Sequence, residues 1–476
     1  MKAVVTAVND LYAGDSRLDA SYHASEGVRA LRRLRRWAGA PAGEQGTGVV
    51  SEARTGYAAR RLDALKDIAQ IFNGPRFART YVTDPDRGVP FLSSSDMLQA
   101  DLGGVKLLSR KNMPDHLLSA IRIQKGWTLI SCSGTIGNTV YVRSDMDGMT
   151  GSQHIMRVVP DEQVIQPGYL FAVLSSPIGY ALLTQGTYGA VVQHIEPKHI
   201  ADLPIPRLDA AIEERIHALV ERAAALRVEA QSSRRKALAL ASEQLRTDLS
   251  LFATKNLLAV PFSRLNWRFE ATYHTARETA AEIFRSSHVP LVPIGDLLID
   301  MFYLGKLHRV FVDNPEHGVP LLSIADAQKI KLSSDKYVSR TQSRNVNQAI
   351  LQPGWVLVSR VGTPGLVTYV RREMAGMAGT DHLVRLVCDS ARILSGYLYA
   401  VLSSQVGYGL LVGSAHGSVQ LVLPPEYIAR IEIPLLPLEQ QKPIHDLIES
   451  YSEALSQASK CEDQAQALLV EALRMG

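Results

Sequence analysis

The sequence has few cysteines, no long apolar run and no strong net charge. Its 476 residues contain only Cys132, Cys388 and Cys461, which lie far apart and form no CxxC pair. This pattern argues against a disulfide framework and a cysteine-based zinc site, and it fits a reducing, cytoplasmic setting. No stretch approaches the roughly 18 consecutive apolar residues of a membrane span, so we expect no membrane partner. The net charge of +4 is too small to predict a nucleic-acid partner by itself.

Motifs of self-contained catalysis are also missing. The Gly305-Lys306 pair lacks the Ser or Thr that completes a P-loop. A DNA methyltransferase needs an acidic or Asn-Pro-Pro-aromatic loop, and the only Pro-Pro pair, Pro424-Pro425, has no Asp or Asn before it. We therefore predict no catalytic, cofactor-binding or metal-ligating residue. Two pairs of histidines at equivalent positions have no ligand cluster around them in the sequence: His23 with His274, and His154 with His382.

What the sequence does contain is a long internal repeat. Residues 168–180 read GYLFAVLSSPIGY and residues 396–408 read GYLYAVLSSQVGY, with ten of thirteen positions identical at an offset of 228. The same offset aligns QKGWTLISCSGTIGNTVYV (124–142) with QPGWVLVSRVGTPGLVTYV (352–370). The chain is therefore two copies of one module of ~200 residues, each followed by a helix, and it predicts a pseudo-twofold body.

Each module has the pattern of an α+β fold. The runs GWTLISC and NTVYVR, separated by Gly134–Gly137, predict two strands and a turn. The segment 168–185 has helical spacing with a break near Pro177, and IADLPIPRL predicts a short strand. We expect four parts: a first module over 1–205, a first long helix over 206–260, a second module over 261–434 and a second long helix over 435–476.

The two long helices share a seam, meaning a line of apolar or small residues at spacings of mostly three and four. In the first helix the seam is Ile212, Ile216, Leu219, Ala223, Leu226 and Ala230. In the second helix it is Ile444, Ile448, Tyr451, Leu455, Ala458, Ala465 and Leu469. Because such spacing is typical of coiled coils, we predict that the two helices pair with each other. The alternative is that each helix packs only on its own module.

The order module, long helix, module, long helix resembles the specificity (S) subunit of type I restriction-modification systems. The resemblance rests on the RLDASYH opening, the GWTLISCSGTIGN and GWVLVSRVGTPGL loops, the AVLSS helices and the IPRLDAAIEERI and IPLLPLEQQKPI segments before the long helices. It covers nearly the whole chain. It implies two similar α/β target-recognition domains separated by two long antiparallel coiled-coil helices. Each domain would recognise one half of a split DNA sequence.

The resemblance also implies a non-catalytic subunit whose partners carry the chemistry. The chain would bind double-stranded DNA and two adenine-N6 methyltransferase (M) subunits and, in restriction complexes, ATP-dependent restriction (R) subunits. S-adenosylmethionine, ATP and magnesium would bind on those partners, with no cofactor on this chain. Three alternatives stay open: the DNA-specificity subunit of a related non-type-I anti-phage modification system, a protein-only pseudo-symmetric scaffold, and a self-contained enzyme.

The duplication separates two kinds of candidate DNA contact. A residue kept by both copies serves a common purpose such as sequence-blind phosphate contact, and a residue that differs on the shared frame can carry base preference. The phosphate candidates are Arg79, Lys106, Arg110 and Arg143 in the first copy and Arg309, Lys336, Arg340 and Arg371 in the second, and Arg157 and Arg385 are a further shared pair. The base-contact candidates are Ser133, Asn138, Gln153, Tyr188 and Gln193 in the first copy and Arg360, Asp381 and His416 in the second. Surface charge and ordinary drift between the copies are the alternatives.

Two further stretches are candidates for contact. The segments 111–125 and 341–353 differ in length on the shared frame, which makes them a second source of specificity. A basic run surrounds Trp37 and predicts a helix with its arginines outward, for phosphate or for an acidic partner face; a solvated helix is the alternative. The run consists of Arg29, Arg32, Arg33, Arg35 and Arg36.

Overall fold

A computed structural model of the chain describes residues 25–39, 60–185, 194–250, 274, 277–305, 309–332, 334, 336–417 and 420–474. The chain forms two compact units. Unit 1 combines residues 1–228 with 457–476, and unit 2 is residues 229–456. Each unit mixes helices and sheets, so the predicted α+β class, with two sheet-rich regions and two long helices, is confirmed.

The strands of unit 1 form two four-stranded sheets and one small ribbon. The first sheet has the order β2-β9-β6-β7 and is wholly antiparallel, and the second has the order β3-β5-β4-β8 with β4 and β8 parallel. The ribbon pairs β1 with β10. The strands are β1 (Arg61–Ala64), β2 (Ala69–Asn73), β3 (Tyr81–Val82), β4 (Gly88–Leu92), β5 (Lys106–Ser109), β6 (Thr128–Ser131), β7 (Thr139–Tyr141), β8 (Thr150–Gly151), β9 (Ile155–Pro160) and β10 (Pro204–Arg207).

The strand and turn predictions in unit 1 are confirmed. β6 and β7 form the hairpin expected from GWTLISC and NTVYVR. Gly134 and Gly137 in the connecting loop have φ angles of +77° and +83°, a conformation that glycine adopts without strain. The short strand predicted from IADLPIPRL is β10, and the predicted helix break falls at Pro177, which occupies the first position of a new helix.

Helices pack on both four-stranded sheets of unit 1. They are α1 (Glu26–Trp37), α2 (Leu65–Ile68), α3 (Asp115–Ile121), α4 (Pro167–Ser175), α5 (Pro177–Thr184) and α6 (Pro197–Ile200), and the long α7 (Ala210–Gln244) contributes to both units. Single 3-10 turns occur at Pro85–Arg87, Asp96–Leu98 and Ser144–Met146. α4 is apolar on all sides because it lies between the sheet and α7, and its residues Tyr169 and Leu170 are fully buried.

Unit 2 repeats this order element by element. Its sheets are β12-β19-β16-β17 and β13-β15-β14-β18, and its ribbon is β11-β20. The strands are β11 (Leu291–Pro293), β12 (Leu298–Tyr303), β13 (Phe311–Val312), β14 (Gly318–Leu322), β15 (Tyr337–Ser339), β16 (Val356–Ser359), β17 (Val367–Tyr369), β18 (Ala378–Gly379), β19 (Leu383–Cys388) and β20 (Glu432–Pro434). The helices are α8 (Glu278–Ser286), α9 (Ile324–Ala327), α10 (Val346–Ala349), α11 (Ser395–Ser403), α12 (Gln405–Ser414), α13 (Pro425–Ala429) and α14 (Leu438–Arg474), with 3-10 turns at Ile294–Leu297, Pro315–His317 and Arg372–Met374.

Both long helices enter the core of each unit through their seam residues. In unit 1 the first half of α7, through Ile216, shares a core with the last part of α14, through Ala465 and Leu469. In unit 2 the later part of α7, through Ala237, shares a core with the first part of α14, through Ile444. All seven predicted seam residues of α14 are buried, and in α7 only Ile212 and Leu219 are partly exposed. Among the described residues, every helix is either too short or too polar to cross a bilayer.

A tyrosine ties each module to its long helix in the same way. The Tyr141 hydroxyl donates to the Glu221 carboxylate of α7, and the Tyr369 hydroxyl donates to the Glu449 carboxylate of α14. Burial and the neighbouring carboxylate raise the pKa of both tyrosines, so both hydroxyls keep their protons as donors. The duplicated contact fixes β7 and β17 on their helices.

Candidate nucleic-acid interface

One edge of the first sheet in unit 1 brings three loops together. β2 ends at Asn73 opposite Met156, and β6 ends at Ser131 opposite Ile155, so β2 and β6 finish where β9 begins. The loops 74–80, 132–138 and 152–154 therefore leave the sheet on the same side. We call this set of loops the loop edge of unit 1. In unit 2 the loop edge consists of residues 304, 305 and 309–310, together with 360–366 and 380–382.

In each unit the loop edge joins a predicted phosphate contact to a predicted base contact. The Arg79 guanidinium donates from Nη2 to Oε1 of Gln153. The Arg309 guanidinium forms an ion pair with Asp381, which occupies the position equivalent to Gln153. A shared arginine thus holds a side chain that differs between the copies. An amide both donates and accepts, which suits adenine, whereas a carboxylate only accepts, which suits the amino group of cytosine.

In unit 1 the rings of Tyr81 and Phe91, which we call the aromatic ledge, lie between Arg79 and a second shared cation, Lys106. The Arg79 guanidinium lies 5.0 Å from the centre of the Phe91 ring, and the Phe91 and Tyr81 ring centres are 6.2 Å apart. The Lys106 ammonium lies 5.1 Å from the centre of the Tyr81 ring, which is 41% exposed. The register of β3, β5 and β4 creates this arrangement, because Tyr81 pairs with Leu108 and Phe91 pairs with Lys106. Cations interleaved with an exposed ring suit a nucleic-acid surface.

The loop edge of unit 2 presents a different set of groups on the same frame. The Arg360 guanidinium stacks 4.3 Å from the centre of the Tyr303 ring, and stacking of this kind orients the planar donors of an arginine. Phe311, the counterpart of Tyr81, is 53% exposed. Backbone hydrogen bonds anchor Arg360, whose N–H donates to the His382 carbonyl over 2.9 Å. The first copy has Cys132 in place of Arg360, and that thiol is buried.

The loop edge of unit 1 carries a local positive field. Burial, together with the neighbouring Arg79, His194 and Arg76, lowers the pKa of His154 below its ordinary value. The neutral imidazole accepts at Nε2 from the Gln153 amide over 3.0 Å. Three cationic or titratable groups around one loop favour an anionic ligand there.

A buried arginine holds the loop that carries the base-contact candidate. Arg157 is fully buried; its Nη1 donates to the Ile155 carbonyl over 2.6 Å and its Nη2 to the Gly151 carbonyl over 2.7 Å. Arg385 makes the equivalent bonds to the Leu383 and Gly379 carbonyls, over 2.7 and 2.8 Å. Burial lowers the pKa of both guanidinium groups to about 10, which still leaves them charged at neutral pH. This shared pair serves the fold of the loop and not a phosphate.

Two of the predicted phosphate contacts are corrected by their burial. Arg143 and Arg371 are each 1% exposed. Arg143 forms an ion pair with Asp145 over 2.9 Å, and Arg371 forms one with Glu373 over 2.8 Å. Guanidinium groups enclosed and paired in this way do not reach a phosphate. The sequence contained the signal, because both copies keep an acid two residues after the arginine.

The other phosphate candidates lie on the surface. Lys106, Arg110, Lys336 and Arg340 are exposed. Arg110 follows β5, and its Nε donates to the Gly88 carbonyl over 3.0 Å. Ser109, beside it, donates through its backbone N–H to the Thr80 carbonyl, so the end of β5 adjoins the loop edge.

The remaining base-contact candidates are distributed around the loop edges. Ser133 bridges to His194 through the backbone, and the Asn138 amide donates to the Thr135 carbonyl over 3.2 Å. His416 is exposed, and its ring centre lies 5.4 Å from that of Tyr427. Tyr188 and Gln193 lie outside the described residues.

Sequence reasoning missed the aromatic part of this surface. Tyr81 and Phe311 stand two residues after the shared arginines Arg79 and Arg309, so the repeat contained the signal. Tyr303 carried no such signal, because its counterpart is Asn73.

Across the part of the chain that the structure describes, no group of three or more His, Cys, Asp or Glu side chains is placed to hold a metal ion.

Comparison with known proteins finds similarity among solved structures alone. No protein-family model and no curated protein matches the chain. The type I restriction-modification S subunit from M. genitalium is 13% identical, with a TM-score of 0.38 over 89% of this chain and 97% of that one. The HsdS subunit from Thermoanaerobacter tengcongensis is 15% identical, with a TM-score of 0.27 over 87% and 96%. A third structure, from work on complex assembly and conformational transition of the type I R-M system, is 15% identical, with a TM-score of 0.27 over 88% and 99%.

Two of these three solved structures are described as belonging to a type I restriction-modification system, the family that the sequence resembles, and the third is described as an HsdS subunit. With identities of 13–15% and TM-scores below 0.5, none of these similarities assigns a role to a residue of this chain.

Proposed function

We propose that the chain is the DNA-specificity subunit of a methylation-based restriction-modification complex, and that each loop edge contacts one half of a bipartite sequence. One observation carries the proposal. A shared arginine holds a side chain that differs between the copies, Gln153 beside Arg79 and Asp381 beside Arg309. If both copies bound the same ligand, the side chain beside the shared arginine would not need to differ between them. Binding of two different half-sites requires such a difference. Phosphate contacts then position each unit, and base contacts specify it.

The exposed lysines shared by the two copies fit the phosphate part of this division. Lys106 and Lys336 are shared and exposed, and the exposed Tyr81 ring lies beside Lys106. The base part of the division falls to groups that differ between the units: Gln153 and Asn138 in unit 1, and Asp381, Arg360 and His416 in unit 2.

The long helices fit the role of a spacer. We include in the proposal that α7 and α14 form an antiparallel coiled coil with pseudo-twofold symmetry. In support, each unit combines one end of α7 with the opposite end of α14. α7 has 35 residues, or ~52 Å at 1.5 Å per residue, which exceeds one DNA turn of about 34–36 Å. Unrecognised base pairs therefore lie between the half-sites.

The proposal also assigns partners and boundaries. The recognition domains cover residues 1–205 and 261–434, and the long helices cover 206–260 and 435–476. Together they dock two adenine-N6 methyltransferase subunits and, where the system restricts DNA, the R subunits. S-adenosylmethionine, ATP and magnesium bind to those partners. The duplicated frame supports paired docking, since it offers each methyltransferase an equivalent surface.

Mapping of methylated adenines tests the proposed function. The chain is co-expressed with the methyltransferase encoded next to it, and the host genome is mapped for N6-methyladenine. We expect methylation at two fixed half-sites separated by a spacer of constant length. The methyltransferase expressed without the chain is the control and leaves these sites unmethylated. An unchanged methylation pattern supports the scaffold instead, and methyl transfer by the purified chain alone supports a self-contained enzyme.

A further inference from the structure

The basic run at the start of unit 1 forms an amphipathic helix, as predicted. α1 contains five arginines and one glutamate in its twelve residues. Leu34 and Trp37 are buried, and the Trp37 indole donates to the Ala472 carbonyl of α14 over 3.2 Å. The exposed arginines are Arg29, Arg33 and Arg36, which we call the arginine stripe.

The arginine stripe is a continuous line of positive charge on one face of α1. Its members stand at spacings of four and three, so they follow one face over about 10 Å of helix. Like charges four residues apart destabilise a helix, and in the described part of the chain neither Arg29 nor Arg33 forms an ion pair. The charges of Arg29 and Arg33 therefore do not stabilise α1.

The equivalent helix of unit 2 has no such stripe. α8 contains two glutamates and one arginine in nine residues, and it buries Ile283 and Phe284 against its unit. Both helices pack closely on their neighbours: a Cβ at Gly27 of α1 would lie 2.6 Å from Cβ of Gln185, and a Cβ at Gly413 of α12 would lie 2.7 Å from Cβ of Arg277. The shared frame therefore does not need the charge, and of these two helices, as far as the structure describes them, α1 carries the stripe and α8 does not.

The start of α1 lies near the loop edge of unit 1. α1 begins against α5, where Gly27 meets Gln185. The preceding turn of α5 carries Thr184 and Tyr180 over the glycine loop, since a Cβ at Gly137 would lie 2.8 Å from Cγ2 of Thr184 and 3.0 Å from Cε2 of Tyr180. The first turn of α1 thus lies close to the loop edge through its buried face, and the arginine stripe begins at Arg29 on the opposite, exposed face.

The composition of the stripe distinguishes among anionic partners. All its cations are arginines, whose planar donors bind phosphate oxygens in pairs. A length of about 10 Å covers three phosphates of one strand, counted at about 3.4 Å of duplex axis each. Because α1 begins close to the loop edge, the same DNA lies within reach of the stripe.

We propose that the arginine stripe binds the phosphate backbone next to the half-site that unit 1 recognises, and that unit 2 has no matching contact. This deepens the proposed function and rests on it. The complex would then hold one flank of its target more tightly than the other, although both units share one fold.

The test uses the full chain with its methyltransferase partners and a duplex that carries the mapped motif. The variant is Arg29→Gln/Arg33→Gln/Arg36→Gln, since glutamine has nearly the helix propensity of arginine. The slope of log K against log salt concentration should become less negative by about 0.9 for each lost phosphate contact, and so by about 2.7 for the triple variant. The DNase footprint should shorten on the flank of the first half-site, with both half-sites still recognised. Arg285→Gln on α8, half-exposed at 47%, is the matched control and should change neither.

Three results separate this proposal from others. An unchanged slope and footprint in a variant complex that still binds its motif overturns the arginine stripe as a DNA contact. Loss of the methyltransferase during purification, with an unchanged slope, assigns the stripe to an acidic protein face and also overturns it. Absence of motif-specific binding in the wild-type complex instead overturns the proposed function, and the stripe proposal with it.

Discussion

Replacing residues 70–160 and 186–194 by residues 300–388 and 414–422 should convert the first half-site into a copy of the second. The methylated sequence should then become an inverted repeat, because the proposed relation between the modules is a twofold. Each mismatched base pair costs about 1–3 kcal/mol, so a half-site that differs at several positions loses methylation almost completely. Mapping of N6-methyladenine in cells that express the chimaera with its methyltransferase measures the result.

The structure sets the boundaries of this exchange. The larger block begins where Gln70 pairs with Val159, and its counterpart begins where Asp300 pairs with Val387. Apart from the first residues of β2 and β12, both four-stranded sheets of a unit are transferred together. A block that began at residue 98 would instead separate β5 from β3 and β4. The helices α4 and α5 stay in place because α1 and α7 pack on them.

The reciprocal exchange is the control for the chimaera. It should give an inverted repeat of the first half-site. A direct repeat from either chimaera would contradict the pseudo-twofold and leave modular recognition intact. A motif unchanged in both halves would contradict recognition by the loop edges.

Replacing Arg227 by methionine should destabilise unit 1 by about 3–5 kcal/mol, because it leaves a buried carboxylate without its cation. Arg227 of α7 and Glu462 of α14 form an ion pair inside unit 1, with their side chains 7% and 6% exposed. The pair joins the first half of α7 to the last part of α14, so it tests the pairing of these helices directly. Urea unfolding followed by hydrogen exchange on the peptides of unit 1 measures the loss.

A double-mutant cycle distinguishes the ion pair from a general effect of substitution. The Arg227→Met/Glu462→Leu variant removes both charges and should recover much of the stability lost in Arg227→Met. Lys66→Ala removes an exposed pair with Asp202 and should leave unfolding unchanged. Additive effects of the two buried substitutions would show that the residues do not interact, and would contradict helix pairing in unit 1.

The repeat made much of the fold predictable from the sequence. Glycines at a fixed offset and alternating apolar runs identified the hairpin of β6 and β7, and helical spacing identified both seams. These features depend on neighbours along the chain. The exclusion of a cysteine framework depends only on composition.

The parts that failed depend on neighbours in space. Arg143 looked like a shared surface cation, but the 3-10 turn after β7 places Asp145 against its guanidinium in the interior. The aromatic ledge depends on the register of β3 and β5, which places Tyr81 beside Lys106 and which no spacing in the sequence reveals. The hydrogen bond between Arg79 and Gln153, which lie 74 residues apart in the sequence, also depends on strand pairing that no spacing reveals.

Photo-crosslinking tests most directly whether the loop edges contact the two half-sites. A photoreactive amino acid replaces Gln153 or Asp381 in the complex with the methyltransferase, on a duplex that carries the mapped motif. The same amino acid at Lys66, which precedes β2 at the opposite end of the sheet, is the control and should give no crosslink. We expect position 153 to crosslink to bases of one half-site and position 381 to bases of the other. Crosslinks from both positions to the same half-site, or from neither to DNA, would contradict the account.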